Sequence, residues 1–270
     1  MKLQAKLFLA AALLLLYFPI FFLMYYSFNA AGNMNHFEGF TLDHYKAVFQ
    51  NKRLIVIIMN TIAVALIAAS ISTLIGVFGA LGIHYMRNKQ LKIGLLTLNN
   101  ILMVSSDVVI GSSFLILFTV IGHYTGLGLG FWSVLVSHIA FCVPIVVLMV
   151  IPKLYDMNQS MINAATDLGA STYQILSRVI IPHIMPGAIA GFFMALTYSL
   201  DDFTVSFFVT GNGFSVLSVE IYSMARKGIS MEINALSTLL FLIVMVIIVV
   251  YYFLSTGKER RRKVKAGVIK

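Results

Sequence analysis

Three carboxylates interrupt stretches of the sequence that are otherwise apolar: Asp107, Asp201 and Asp202. The chain has only 10 acidic residues in all, so these three are a large share of its negative charge. If the apolar stretches cross a bilayer, a carboxylate near the middle costs about 2.5 to 3.5 kcal/mol. We therefore expect each of them to face a polar partner or a water-filled cavity.

Two functions fit these carboxylates. In the first they line a path for a cation, because carboxylates pair with ammonium groups and the ring of Tyr198 or Phe203 offers an aromatic face. In the second they are buried polar contacts that hold helices together, with Ser105, Ser106 or Thr204 as partners.

Helix geometry relates the carboxylates to one another. Measured from the ends of their helices that are cytoplasmic in the orientation given below, Asp107 and Asp201 both lie roughly 21 to 22 Å along. Equal depth permits a shared site. Successive helical residues point about 100° apart, so we expect one of Asp201 and Asp202 to serve the path and the other to make a structural contact.

The remaining reactive side chains indicate no covalent chemistry. His123 and His138 lack a second ligand at metal spacing, and the single cysteine, Cys142, lies in an apolar run and is expected to be a small buried hydrophobe. Residues 256–259 (Thr-Gly-Lys-Glu) lack the first glycine and the hydroxyl of a phosphate-binding loop. We expect a transport subunit and not an enzyme, without metal or cofactor of its own, with ATP bound by partner subunits.

The composition indicates that the elements carrying these residues are membrane helices. The 270 residues are 60% hydrophobic and 11% charged, with a mean hydropathy of +0.93, where soluble domains carry about 25% charged residues. Apolar runs without period-2 alternation predict helices and not a barrel. We predict an all-α polytopic fold with six transmembrane helices in one permease domain, residues 1–270, with spans at about 7–28, 54–86, 93–121, 131–151, 186–210 and 231–254.

Lysine and arginine set the orientation, since cytoplasmic loops carry an excess of both. With the N-terminus inside, 14 basic residues lie in the cytoplasm and 5 outside, and both termini are cytoplasmic. The net charge of +9 is then mainly a matter of topology. The basic run from Lys258 is expected to be an orientation signal or a contact to anionic membrane lipid, and not a nucleic-acid site.

The cytoplasmic loop 153–185 predicts two short helices joined at a corner. Asn158 is expected to cap the first helix, and Gly169 to end it in a left-handed conformation. Ser171 is expected to cap the second helix, which Pro182 and Pro186 limit before the fifth span. Such a helical elbow docks into a groove on a partner, or it packs on its own bundle.

This loop resembles the hallmark loop of binding-protein-dependent ABC importer permeases: Glu-Ala-Ala, three residues, Gly, nine residues, then Ile-x-Leu-Pro. The matching residues are Asn163, Ala164, Ala165, Gly169 and Pro182. Asn163 departs from the family's Glu, although Asp167 lies one turn on.

The resemblance narrows to PotC-type spermidine/putrescine permeases through the stretches 130–144, 167–171, 199–203 and 221–224. Ser106 departs from a Pro that related permeases tend to have before an Asp, which weakens the case for a helix break near Asp107.

The resemblance implies a type I ABC importer permease (MetI-like) fold and a subunit that forms half of a spermidine/putrescine pathway. It implies three partners: a homologous second permease of PotB type, a cytoplasmic ATPase dimer of PotA type and an extracytoplasmic polyamine-binding protein of PotD type. The alternatives are the same importer class with another substrate, or an ion-coupled secondary transporter or channel. Half-chain inverted repeats would favour the latter, and the sequence shows none.

The topology is testable with reporter fusions. Because the basic residues are distributed so unequally, fusions after Arg262 and near Asn88 should report cytoplasm, and fusions near His44 and Gly213 should report the outside. A reporter signal from the opposite side of the membrane at any of these four positions would contradict the six-span topology.

Overall fold

The computed structural model describes residues 2–126, 128–228 and 231–246. Over these ranges the chain is helical apart from turns and one isolated bridge between Asn29 and Phe40. It forms two compact units, one of Met1–Ile55 with Ile221–Lys270 and one of Val56–Glu220. The predicted all-α architecture is confirmed.

The helices follow the apolar runs, with short helices in the loops between them. A π-helical turn, Leu176–Ile180, joins α8 to α9. In chain order the helices are α1 (Lys2–Tyr26), α2 (Asp43–Gln50), α3 (Lys52–His84), α4 (Lys89–Val104), α5 (Asp107–Thr125), α6 (Phe131–Tyr155), α7 (Gln159–Asp167), α8 (Thr172–Ile175), α9 (Ile181–Asp201), α10 (Thr204–Val209), α11 (Leu217–Lys227) and α12 (Met231–Val246).

Five helical stretches among the described residues are long and apolar enough to cross a bilayer: Gln4–Tyr26, Lys52–Tyr85, Asp107–Thr125, Phe131–Tyr155 and Thr172–Asp201. They correspond to the first five predicted spans. The sixth, at about 231–254, begins as the apolar helix α12, and residues 247–254 lie outside the described part of the chain.

The third predicted span is not continuous, and this corrects the expectation of one helix over 93–121. Ser105 and Ser106 are extended, with ψ of 145° and 132°, and separate α4 from α5. The Ser105 hydroxyl donates to the Ile101 carbonyl at 2.7 Å. Because serine hydroxyls offer the backbone such local alternatives to the helical ladder, this pair of serines suits a break without proline.

The second loop helix and the fifth span also differ from expectation, the first at Pro182 and the second at Asp202. The proline does not limit the second loop helix, since α8, the π-helical turn and α9 run on from Thr172 to Asp201. Pro182 falls in the first turn of α9, where a missing N–H is tolerated. The fifth span, predicted over 186–210, is instead interrupted at Asp202 and Phe203, after which α10 begins.

Helix α6 is the centre of the Val56–Glu220 unit. Its Val134, Val146 and Val150 are fully buried, and it packs along α9. Glycines allow the close approach: a Cβ on Gly76 of α3 would lie 2.6 Å from the Val146 Cβ, and one on Gly191 of α9 would lie 3.2 Å from its Cα. Small residues at such crossings let membrane helices pack backbone to backbone.

This packing predicts a difference between two glycines of α3. Gly76→Ala forces a methyl group into Val146 and should lower the thermal midpoint of the detergent-purified protein, because overpacking costs about 1–3 kcal/mol. Gly82→Ala is the matched control, since its Cβ would meet nothing within 4 Å. Equal midpoints for the two variants would contradict the α3–α6 packing.

Candidate translocation site and coupling loop

Asp107 is the first residue of α5, immediately after the break that the two serines make. Its carboxylate is exposed on the single chain, and its Oδ1 accepts a hydrogen bond from the Tyr198 hydroxyl at 3.2 Å. Tyr198, on α9, is 41% exposed. The structure thus brings together two of the four residues predicted for the path, and they form an exposed carboxylate with an aromatic hydroxyl beside it.

Asp201 and Asp202 point in different directions. Asp201 ends α9 and is exposed. Asp202 is extended, with ψ of 119°, and its side chain is only 8% exposed. Its two carboxylate oxygens accept hydrogen bonds from the backbone N–H groups of Val205 and Ser206, at 3.2 and 2.8 Å.

Asp202 therefore caps the start of α10. A carboxylate that accepts backbone N–H groups satisfies donors that the break in the helix leaves without intrahelical partners. The neighbouring loop contributes as well, because the Ser218 hydroxyl donates to the Asp202 carbonyl at 2.7 Å. Its partners are thus Ser206, the Val205 backbone and Ser218, and not the suggested Ser105, Ser106 or Thr204.

His138 of α6 is a member of this site that sequence reasoning did not place there. It is 1% exposed, with Nδ1 at 2.6 Å from the Ser199 hydroxyl and Nε2 at 3.0 Å from the Ser206 hydroxyl. Nε2 also lies 3.5 Å from Asp202 Oδ2. The signal in the sequence was the spacing of Ser199, Asp202 and Ser206, a polar stripe at i, i+3 and i+7 that marks one helical face.

Ring contacts connect the buried and the exposed parts of the site. The His138 ring lies 4.9 Å from the Phe141 ring, and the Phe141 ring meets the Tyr198 ring edge-on at 5.1 Å. Edge-to-face packing is a favourable geometry for aromatic pairs. Phe141 therefore separates the buried His138 from the Tyr198 and Asp107 pair while contacting both.

The loop between α6 and α9 has the local structure that its sequence predicts. The Asn158 side chain caps α7 by accepting from the Ser160 N–H. Gly169 has φ of +75°, and the Gly169 and Ala170 N–H groups donate back to the carbonyls of Thr166 and Ala165, the pattern of a Schellman motif.

The second helix of the loop begins with a capping box. The Ser171 hydroxyl accepts from the Gln174 N–H, and the Gln174 side chain accepts from the Ser171 N–H. These contacts confirm the predicted elbow and its two caps.

The surface of this elbow is open. Asn163, Ala164 and Asp167 are exposed, and so is Leu168, at 88%. A cleft of about 390 Å³ beside them is lined by Ala165, Leu168, Gly169, Ala170, Gln174, Arg178 and Val179. The elbow thus presents an exposed leucine beside a small cleft.

A bundle of apolar helices, broken at two points by polar residues and carrying a structured elbow in one loop, defines a membrane-embedded transport subunit. Residues 72–264 match the family described as "Binding-protein-dependent transport system inner membrane component". The chain belongs to this family, and within it to the PotC-type permeases, so it is a multi-pass inner membrane transport subunit and not an enzyme.

Individual relatives support this assignment. The chain is 38% identical over 237 residues, 87% of each chain, to the "Spermidine/putrescine transport system permease protein PotC" of Escherichia coli (strain K12). It is 36% identical over 229 residues, 84% of this chain and 86% of the relative, to the protein of the same name from Haemophilus influenzae.

A solved structure supports the fold. The chain matches, at a TM-score of 0.74 and 18% identity, a bacterial ABC transporter involved in the import of the acidic polysaccharide alginate, over 96% of this chain and 95% of that one. The fold is thus the type I ABC importer permease (MetI-like) fold.

A substitution at Gly169, the corner of the elbow, is expected to impair coupling without preventing membrane insertion. Gly169→Val forces a branched side chain into a left-handed conformation that costs about 1–2 kcal/mol, so it should reduce uptake and substrate-stimulated ATP hydrolysis together in the assembled transporter while the chain still inserts. Gly126→Val is the matched control, since Gly126 has φ of +73° at the other end of a span and equally open surroundings. Equal losses of uptake in the two variants would show that this loop has no special role in coupling.

Proposed function

We propose that this chain is the permease subunit of an ATP-driven importer for spermidine and putrescine, in which it forms half of the translocation pathway. The observation that carries the proposal is the exposed Asp107 carboxylate, held beside the Tyr198 hydroxyl at a break in a membrane helix. The 38% identity to a spermidine/putrescine permease supports the same substrate class.

The exposure of these groups argues for an aqueous path. An exposed carboxylate on a membrane helix is expensive against lipid, so its face must border water or another polar surface. Asp107, Tyr198 and Asp201 are all exposed on the single chain. We infer that they face the pathway between two permeases, where water and the substrate solvate them.

The chemistry of this face suits a polyamine. Polyamines carry several ammonium groups, each of which pairs with a carboxylate or lies over an aromatic ring. Asp107 and Asp201 supply charge, and Tyr198 supplies a ring next to one of them. Because the Asp202 carboxylate accepts hydrogen bonds from the Val205 and Ser206 N–H groups, we place it outside the path, as a structural residue.

The same proposal assigns the partners. A homologous second permease of PotB type completes the pathway, a polyamine-binding protein of PotD type delivers the substrate from outside, and two ATPase subunits of PotA type bind the ATP. This chain then needs no cofactor. Its termini and loop 153–185 lie in the cytoplasm, in keeping with the excess of basic residues there.

The elbow is the proposed contact to the ATPase. The open surface is formed or bordered by Asn163, Ala164, Ala165, Asp167 and Gly169. Pro182 lies in the first turn of α9, the helix that leads to Asp201. Because α8, the π-helical turn and α9 are continuous, a displacement of the elbow moves the helix that bears Tyr198. ATP binding and hydrolysis would in this way shift the population between inward-open and outward-open states.

Reconstitution of the complete complex tests the function. Proteoliposomes that contain the two permeases and the ATPase should accumulate labelled spermidine or putrescine only when ATP and the binding protein are both supplied. Failure to accumulate either polyamine, together with ATP hydrolysis stimulated by another class of solute, would contradict the substrate and leave the importer class intact.

Variants of the three membrane carboxylates are expected to fall into two groups, those that reduce uptake and those that affect assembly. Asp107→Asn keeps size and hydrogen bonding but removes charge, so uptake per assembled complex should fall by roughly tenfold or more, as expected for a lost charged contact of about 1.5–3 kcal/mol. Asp201→Asn should also reduce uptake. Asp202→Asn retains one of the two capping oxygens and should assemble better than Asp202→Leu, which retains neither and should lower the amount of assembled complex.

The control for these variants is Asp156→Asn, at the end of α6, where the exposed Asp156 lies 3.8 Å from Lys153. It removes a carboxylate outside the path and should leave uptake unchanged. Unchanged uptake in the Asp107 and Asp201 variants would remove the carboxylate path and leave substrate choice to the external binding protein.

A further inference from the structure

His138 joins three pieces of backbone that are separate in the sequence. From α6 its ring reaches Ser199 on α9, Ser206 on α10 and Asp202 at the break between them. With 1% exposure it contacts neither lipid nor the path. A buried polar side chain of this kind in a membrane helix is costly without partners, so its partners are informative.

The carboxylate of Asp202 beside the ring favours one of its two neutral tautomers. A neutral imidazole has one N–H donor and one acceptor nitrogen, and a carboxylate only accepts. The proton, assigned here from the partners, therefore belongs on Nε2, which faces Asp202 and the Ser206 hydroxyl, and Nδ1 accepts from the Ser199 hydroxyl. The ring thus holds one hydroxyl on each side of the break.

The break needs this support because it lies at membrane depth. Non-helical backbone there is tolerated only where protein or water satisfies its polar groups. Asp202 accepts the Val205 and Ser206 N–H groups, and His138 holds that carboxylate and the Ser206 side chain from the other side. Loss of the ring leaves the cap without its lateral contact.

The position of the break determines the position of the path residues. Ser199 is next to Tyr198 in α9, and Phe141 packs between the His138 and Tyr198 rings. On the other side of the break, α10 packs closely on α5. Gly111 lies one turn after Asp107 in α5, and a Cβ at this position would lie 2.7 Å from the Phe208 ring of α10. His138 therefore contacts the supports of both members of the Tyr198 and Asp107 pair.

We propose that His138 is a positioning residue for transport: it fixes the break between α9 and α10 and, through it, holds the Tyr198 hydroxyl against the Asp107 carboxylate. The inference rests on the proposed function, since it assigns a role to a residue behind the polyamine path. His138 itself does not contact the substrate.

Two variants distinguish this positioning role from simple packing: one keeps a hydrogen-bond donor near the position of Nε2, and the other removes it. His138→Gln places an amide N–H near the position of Nε2 and should keep uptake close to that of the unmodified complex. His138→Asn reaches only the Ser199 side, so the KM for spermidine should rise about fivefold, the change produced by the loss of a hydrogen bond worth about 1 kcal/mol. The amount of assembled complex should change little.

A double-variant cycle is the decisive form of the test. If His138 acts through the Tyr198 hydroxyl, then His138→Asn should have little further effect on KM in a Tyr198→Phe background, because the contact it positions is already absent. Ser137→Ala is the matched control: Ser137 is buried on the same helix and donates only to the Ser133 carbonyl of that helix. It should leave KM unchanged.

The outcomes are distinct. Additive effects in the double variant, an unchanged KM in His138→Asn, or loss of assembly in both His138 variants while Ser137→Ala assembles would each overturn the positioning role and leave His138 as a packing residue. Absence of spermidine uptake by the unmodified complex would overturn the proposed function and this inference together, so the two failures are told apart before any variant is measured.

Discussion

The backbone of a membrane helix must keep its hydrogen bonds, and this chain leaves the helical conformation at two places next to the proposed path. At Ser105 and Ser106 the chain leaves the helix so that Asp107 opens a new one. At Asp202 the fifth span stops, and the carboxylate satisfies the N–H groups that the break sets free. Once these groups are satisfied, irregular backbone is tolerated within the membrane.

The two kinds of carboxylate follow from that requirement. Asp202 is nearly buried and accepts two backbone N–H groups, so its charge is used within the protein. Asp107 is exposed and has a tyrosine hydroxyl as its partner, which leaves lone pairs available to a cation. The same residue type thus serves structure in one position and, in our proposal, substrate in the other. The fold is shared with a transporter involved in the import of an acidic polysaccharide, so the fold alone does not select the cargo.

Hydropathy and local capping signals predicted much of this protein. The first, second and fourth spans and the elbow at Asn158, Gly169 and Ser171 agree with their predictions, because span length and helix caps depend on residues close in sequence. The breaks were missed because an average over an apolar window does not register two serines or one extended residue. Pro182 was read as a stop, although a π-helical turn and a first-turn position let the helix continue. His138 was not placed because its hydroxyl partners are 61 and 68 residues away.

The most direct test of the account is an experimental structure of the assembled complex with spermidine bound between the permeases. The account predicts an ammonium nitrogen within about 3 Å of the Asp107 carboxylate, while Asp202 still accepts the Val205 and Ser206 N–H groups. A polyamine nitrogen seated on Asp202 in place of those N–H groups, or a substrate path that avoids the face of Asp107 and Tyr198, would contradict it.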